Sequence, residues 1–310
     1  MKIAIGIGDI AGRPAPIDDL IAQTRQAEQD GFASAWFANS FGIDALTAAA
    51  LIGRETARIA LGTAVVPTFL RHPVAMAQQA LTTQAATGGR FSLGIGLSHQ
   101  VVIESMLGLS FAKPFTHMKE YVAVLTALIR HGTVSYQGSE FRVNANVAVP
   151  GAEPCPILLA ALAPKMLALA GAEADGTITW MTGPKTLREY TVPRISEAAA
   201  KAGRPAPRVV VGLPIAVTGD VAAARERAGR AFRIYDSLPS YRAMLDREGV
   251  EGPAAMAIVG DEDVVGEQLQ QLAAIGVTEF LAVPFPVGSD RTGSLERTRA
   301  LLLQFAGNAA

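Results

Sequence analysis

Cysteine is nearly absent. The 310 residues hold one, Cys155, which excludes an internal disulfide and any CxxC metal spacing. It lies between Pro154 and Pro156 ahead of an apolar run. With no base nearby in sequence, it is expected to fill core space rather than act as a nucleophile. An excess of either charge is missing too: 27 Lys and Arg stand against 28 Asp and Glu, a formal net charge of −1. Without a sustained basic run, neither nucleic acid nor an anionic membrane is an expected partner. No apolar stretch reaches bilayer-spanning length without a charge or a breaker. The opening MKIAIGIGD reads as a strand, too short and glycine-rich for a signal peptide's apolar region. A cytoplasmic protein acting on a small molecule is the expectation.

What is present is an alternation. Hydrophobic residues make up 50% of the chain, enough to bury a large core. Expected strands are Ile3–Ile7, Ala33–Phe37, Ile59–Val66, Phe91–Ile95, Pro156–Ala160, Thr177–Trp180, Val209–Val217 and Glu279–Val283. Between them lie helical patterns at Ile17–Asp30, Asp44–Arg54, Pro73–Ala86, Thr116–Arg130, Pro164–Ala174, Thr186–Ala202, Asp220–Tyr235 and Asp263–Ile275. Pro239–Glu248 reads as an extra helix, and Leu295–Phe305 closes the chain. Strands alternating with helices of this length argue for parallel βαβ units, and eight of them for a closed (β/α)8 TIM barrel. The expected architecture is one such domain over 1–310. An insertion or lid at 132–154 carries a small hairpin, Thr133–Tyr136 and Glu140–Val143, followed by loop. An open doubly wound sheet is the runner-up. It would need a GxGxxG turn, and Gly6-Ile7-Gly8-Asp9-Ile10-Ala11-Gly12 misses the third glycine by one position.

In a barrel the chemistry lies on the loops after the strands. The residues delivered there lack a Schiff-base lysine, a His and carboxylate metal set, a GxSxG elbow and a facing pair of carboxylates. A small, apolar, weakly polar mouth suits a site where a cofactor carries the chemistry and the protein supplies shape and dryness.

Five segments then carry a resemblance: LGTAVVPTFLRHP (Leu61–Pro73), GRFSLGIGLSH (Gly89–His99), PILLAALAPKMLALAGAEADG (Pro156–Gly176), TITWMTGP (Thr177–Pro184) and VGDEDVVGEQLQQLAAIGV (Val259–Val277). In this order they resemble the luciferase-like monooxygenase superfamily, and within it the branch that depends on the deazaflavin coenzyme F420. The resemblance runs nearly end to end and implies a bacterial luciferase-like barrel. It places a non-prolyl cis peptide at Ala64–Val65, after Thr63, against the central ring of the flavin. It places the cofactor phosphate at Ala161, Leu162 and Ala163, although Leu162 and Ala163 replace the two glycines usual there. Thr179, Thr182 and Gly183 match positions that reach the phosphate or tail. Asn39 and Ser40 stand where relatives carry a titratable pair, so they are expected to hydrogen-bond the ring's carbonyl edge. Gly96 and Ser98 complete the implied cofactor contacts. His99 is the remaining titratable group, a candidate proton donor with Glu104 behind it.

The resemblance also implies a homodimer, formed through helices beside strands two and three. Flavin mononucleotide, FMN, is the alternative cofactor, which would make the protein a monooxygenase fed by a separate reductase. A non-catalytic flavin-binding barrel is the second alternative. A polyglutamate tail on the deazaflavin would meet basic residues at its exit, with Lys185, Arg188 and Arg71 as candidates. The expected function is hydride transfer to or from a small apolar organic substrate.

Overall fold

The computed structural model describes residues 1–8 and 15–307. Asp9, expected at the barrel mouth, and the rest of the near-GxGxxG turn lie outside the described residues. Eight parallel strands close on themselves. They are β1 Lys2–Ile7, β2 Ser34–Phe37, β3 Ala60–Thr63, β4 Phe91–Gly96, β5 Ile157–Leu159, β6 Gly176–Trp180, β7 Arg208–Val217 and β8 Glu279–Pro284. The ring is completed where β8 pairs with β1, Lys2 standing opposite Glu279. The closed barrel is therefore the fold, and the open sheet is excluded.

Strand alternation sorts the side chains into two cores. Ala4, Trp36, Leu158, Ile178, Val210 and Leu281 fill the lumen as one cluster, with Ala64 and Val65 packed against it. A larger cluster lies between the strands and the helices. Trp36 takes so much of the lumen that the facing strand must have no side chain there. A Cβ on Gly62 would clash with the indole ring.

Helix boundaries follow local chemistry. Asp44 accepts from Thr47 N at 2.9 Å and caps α2, Ala45–Arg54. His72 caps α3, Pro73–Ala86, through Nδ1. Gly31 and Gly132 end α1, Ile17–Asp30, and α4, Pro114–His131, in the left-handed region, where glycine meets no steric penalty. Among the described residues no helix is long and apolar enough to cross a membrane. Cys155 is buried, and that burial pushes its thiol up to about 12, so it stays protonated and inert, as the sequence implied.

Several boundaries differ from expectation. The run 59–66 is not one strand: it breaks after Thr63 at a cis Ala64–Val65 bond and resumes as Val66–Pro67. The helix expected over 186–202 is three pieces: Pro184–Thr186, a π-helical turn Leu187–Thr191, and α6 Val192–Lys201. Pro193 has no N–H and its ring crowds the preceding turn, which widens to accommodate it. The helix expected over 220–235 stops as α7, Val221–Ala231, because Phe232 turns inward onto Trp180 and Phe285. A short strand Ile258–Gly260 pairs with the end of β7 and was not expected.

The 132–154 segment is an antiparallel hairpin, Thr133–Gln137 with Arg142–Asn146. Its second strand runs further than the sequence implied. The buried carboxylate of Glu120 on α4 accepts from the amides of Ser139, Glu140 and Phe141 and from the Ser139 hydroxyl. Burial alone would raise the Glu120 pKa, but these donors outweigh it and hold the pKa below the usual range. The pin is therefore present above the ordinary carboxylate range and lost as pH falls through the lowered value. Glu120→Ala should destabilise the protein by about 1–2 kcal/mol. Faster hydrogen exchange should be confined to the Ser139–Phe141 amides, and unchanged exchange there would show that the pin is idle.

Candidate active site

The lumen is filled from Ala4 to Leu281, so a ligand can enter only above it, at the C-terminal ends of the strands. There β3 gives way to the Ala64–Val65 bulge. The bulge is locked to β4. Thr63 Oγ1 donates to Gly94 O at 2.8 Å and accepts from Gly94 N at 2.9 Å. A Cβ on Gly96 would lie 2.8 Å from Val65 Cγ2 and 3.2 Å from the Ala160 Cβ. Gly96 is therefore bare so that Val65 can lean across it. The result is a smooth apolar ledge at the centre of the mouth.

Beside the ledge the backbone is unusual. Ser98 holds a φ of 63° and Met181 a φ of 52°, both costly for residues with a Cβ and typical of functional turns. Ser98 presents His99. The His99 carbonyl accepts from the amides of Val102 and Ile103, opening a π-helical segment Val101–Met106. The imidazole is half-buried, and burial lowers its pKa from the ordinary value. It is neutral at neutral pH, and among the described residues no carboxylate opposes that effect. Glu104 does not support it. That carboxylate accepts from Gln100 Nε2 and Phe111 N instead.

Aromatic rings line the other side. Tyr241 of α8, Pro239–Glu248, lies 5.6 Å from the His99 ring centroid and 4.8 Å from Tyr235. Tyr235 and Phe232 each reach Trp180 at the end of β6, at 6.1 and 5.9 Å. The Trp180 indole N–H is buried without a well-formed hydrogen bond. It still leans on Tyr235 closely enough to oppose the upward push of burial on that phenol.

Two helix starts face the mouth, and they differ. At α5, Pro164–Glu173, Ala163 is the N-cap and makes no side-chain cap. Among the described residues nothing accepts the Lys165 and Met166 amides. Donors of this kind suit an anion. At the start after β6, Glu248 of α8 already fills that role. Its carboxylate accepts from Lys185 N at 3.0 Å, and from Thr186 N and Thr186 Oγ1 at 2.8 and 2.7 Å.

The other implied contacts divide accordingly. Asn39 Oδ1 accepts from Ala45 N at 3.0 Å, its NH2 group has no partner among the described residues, and Ser40 is exposed beside it. Leu162 is half-buried and Ala163 exposed. Ala161 is packed into the outer core. Thr179 alternates with the lumen-facing Ile178 and so stands on the outer side of β6, its hydroxyl unpartnered. Thr182 is fully buried and turned to Trp180 O, and Gly183 lies under Glu248. The hydroxyl of Thr63 is engaged by β4. Arg71 is ion-paired with Asp44 and is not a free cation for a cofactor tail. His117 is stacked on Phe69 at 4.0 Å and bonded to Thr68 Oγ1. Tyr235 and Tyr241 were missed. The sequence shows them only as two tyrosines on a polar segment, and their inward aim depends on the break after Ala231.

Residues 2–279 match the sequence model of the luciferase-like monooxygenases. The 5,10-methylenetetrahydromethanopterin reductase of Methanolobus tindarius is 28% identical, over 81% of this chain and 77% of its own. The enzyme of the same name from Methanopyrus kandleri is 27% identical, over 92% and 93%. The solved structure of the coenzyme F420 dependent tetrahydromethanopterin reductase from Methanopyrus kandleri superposes with a TM-score of 0.82. It covers 98% of this chain and 99% of its own at 22% identity, which speaks for the fold.

Proposed function

Because the chain belongs to the luciferase-like monooxygenase family, we propose that it is an oxidoreductase that binds coenzyme F420 and exchanges hydride with a small, mainly apolar organic substrate. The observation that carries this reading is the pairing of an apolar ledge at Ala64, Val65 and Gly96 with a single neutral imidazole, His99, at its edge. Among the described residues the mouth holds few titratable groups, which supports cofactor chemistry rather than side-chain chemistry. The relatives' dependence on F420 supports the choice of cofactor.

When bound, a deazaflavin supplies two-electron hydride chemistry. The chain's own residues do the rest. Ala64, Val65 and Gly96 form the surface for the ring, with the Ser98 turn at its edge. The Asn39 NH2, without a partner among the described residues, and the Ser40 hydroxyl are suited to the ring's carbonyl edge. The unaccepted amides at the start of α5, beside Leu162 and Ala163, suit the phosphate, and Lys165 adds charge. Thr63, Ala161, Thr179 and Thr182 are left out of this set because their side chains are engaged or turned away, and Gly183 because Glu248 covers it. His99 moves the substrate's proton. A cytoplasmic homodimer belongs to the same proposal and rests on the family resemblance.

The test is titration of the purified protein with oxidised F420 and with FMN, followed by tryptophan fluorescence. Trp180 lies at the mouth and Trp36 below it. Binding of F420 at least about tenfold tighter than FMN, a difference of about 1.4 kcal/mol, is the expected result. The reverse preference would favour an FMN monooxygenase. Binding of neither would overturn the reading.

A further inference from the structure

We propose that Tyr241 is a second substrate ligand beside His99, and that the two bind the oxygen of a neutral carbonyl or alcohol substrate against a wall of aromatic rings. This rests on the function proposed above and names its substrate class.

The first observation is convergence. Tyr241 joins His99 after β4 to Tyr235 and Trp180 through successive ring contacts of 5.6, 4.8 and 6.1 Å. Phe232 and Phe285 back the same wall at 6.5 Å from each other. The loops after four different strands thus meet at one place, which is how barrel enzymes assemble a substrate site.

The second observation is unsatisfied polarity. Among the described residues, neither the Tyr241 hydroxyl nor either His99 ring nitrogen has a hydrogen-bond partner. Tyr241 is half-buried, and burial raises its phenol pKa further. The Tyr241 hydroxyl is not sealed from water, so a ligand at the mouth can reach it. A ligand oxygen placed between the phenol and the imidazole would satisfy both. Tyr241 keeps its proton and donates, while His99 exchanges one.

The third observation is where the charges go. On the segment that carries the wall, Arg242 is bonded to Asp236, Asp246 and the carbonyls of Val250 and Glu251. Glu248 is held by the amides after Gly183. Arg247 lies over the Tyr190 ring at 3.7 Å. Arg233 and Glu251 lack an ion-pair partner among the described residues, but both are exposed on a cleft they share with Arg225 and Gly252, not among the rings that would meet an ionised ligand. Such a ligand would be desolvated without compensation. Flat ring faces favour a planar or conjugated substituent.

The experiment is calorimetric titration of acetophenone and of benzoate, near-isosteric but opposite in charge state. It is run on wild type and Tyr241→Phe, each with and without bound F420. The expected result is measurable acetophenone binding, with benzoate weaker by about tenfold or more. Tyr241→Phe should weaken acetophenone by about fivefold, the loss of one neutral hydrogen bond, with F420 affinity unchanged. Equal acetophenone affinity in Tyr241→Phe, no acetophenone binding to wild type, or tighter benzoate binding overturns the proposal. Absence of F420 binding sinks the cofactor reading alone, because the ketone comparison is also made without it.

Discussion

His99→Ala should lower kcat by about 10²–10⁴-fold, the range for removing a general acid or base, while F420 affinity stays unchanged. The imidazole is the single titratable group held at the ledge by the strained Ser98 turn. Among the described residues no carboxylate is placed to substitute for it, since Glu104 is bonded to Gln100 and Phe111, and the neighbouring Tyr241 phenol, its pKa raised by burial, keeps its proton. The loss should appear with any substrate that gains or loses a proton on oxygen. A loss under about threefold would remove His99 from the mechanism.

The pH dependence has a definite sign. Burial holds the His99 pKa below the ordinary histidine value, so the neutral form prevails at neutral pH. In the oxidising direction His99 must accept the hydroxyl proton. There kcat/KM should rise with pH through the lowered pKa and be flat from neutrality upward. In the reducing direction His99 must arrive protonated. The rate should then fall about tenfold per pH unit above the same value. The wild-type limb should vanish in His99→Ala in both directions, and a limb that survives would belong to another group.

The barrel is legible in the sequence for a physical reason, whereas the cis bond of the ledge at Ala64–Val65 was implied only by the family resemblance. Parallel strands covered on both faces demand apolar, β-branched runs, and the βα rhythm repeats those runs at a fixed interval. The segments around Ala64–Val65 and Gly96–His99 lie at strand ends, so a strand assignment already brings them to the mouth of the barrel. What was not legible depends on contacts between distant loops. Glu248 is far in sequence from the helix start it caps, and nothing local marks it as a replacement for a bound anion. The π-helical turn before Pro193 answers a steric conflict that helix propensity alone does not register. The inward turn at Phe232 needs Trp180 and Phe285 as partners. Without it, Tyr235 and Tyr241 read as ordinary surface tyrosines.

The lower end of the barrel carries the largest expected effect on stability. Glu279, the first residue of β8, is 3% exposed. Its Oε1 accepts from Trp36 Nε1 at 2.7 Å and from the Ser34 hydroxyl, and its Oε2 pairs with Arg208 Nη2 at 3.0 Å. Arg208 Nη1 continues to Ser92 Oγ at 2.9 Å. One carboxylate thus ties the first residues of β2, β7 and β8 to each other and holds the indole that fills the lumen. Glu279→Ala removes the nearer of two acceptors for the Trp36 N–H, leaving Ser34 Oγ at 3.0 Å, and leaves Arg208 without its counter-charge. Breaking a buried pair from one side costs about 3–5 kcal/mol. The Arg208 side chain is 35% exposed, and water screening brings the expected figure to about 3 kcal/mol. Thermal unfolding should drop by roughly 6–10 °C, and Trp36 emission should shift to the red as water reaches the floor. Glu279→Gln retains the acceptor but not the charge and should fall between. Because the floor is at the far end of the lumen from His99, the folded variant should keep its F420 affinity. A variant as stable as wild type would mean that the strand ladder alone closes the barrel.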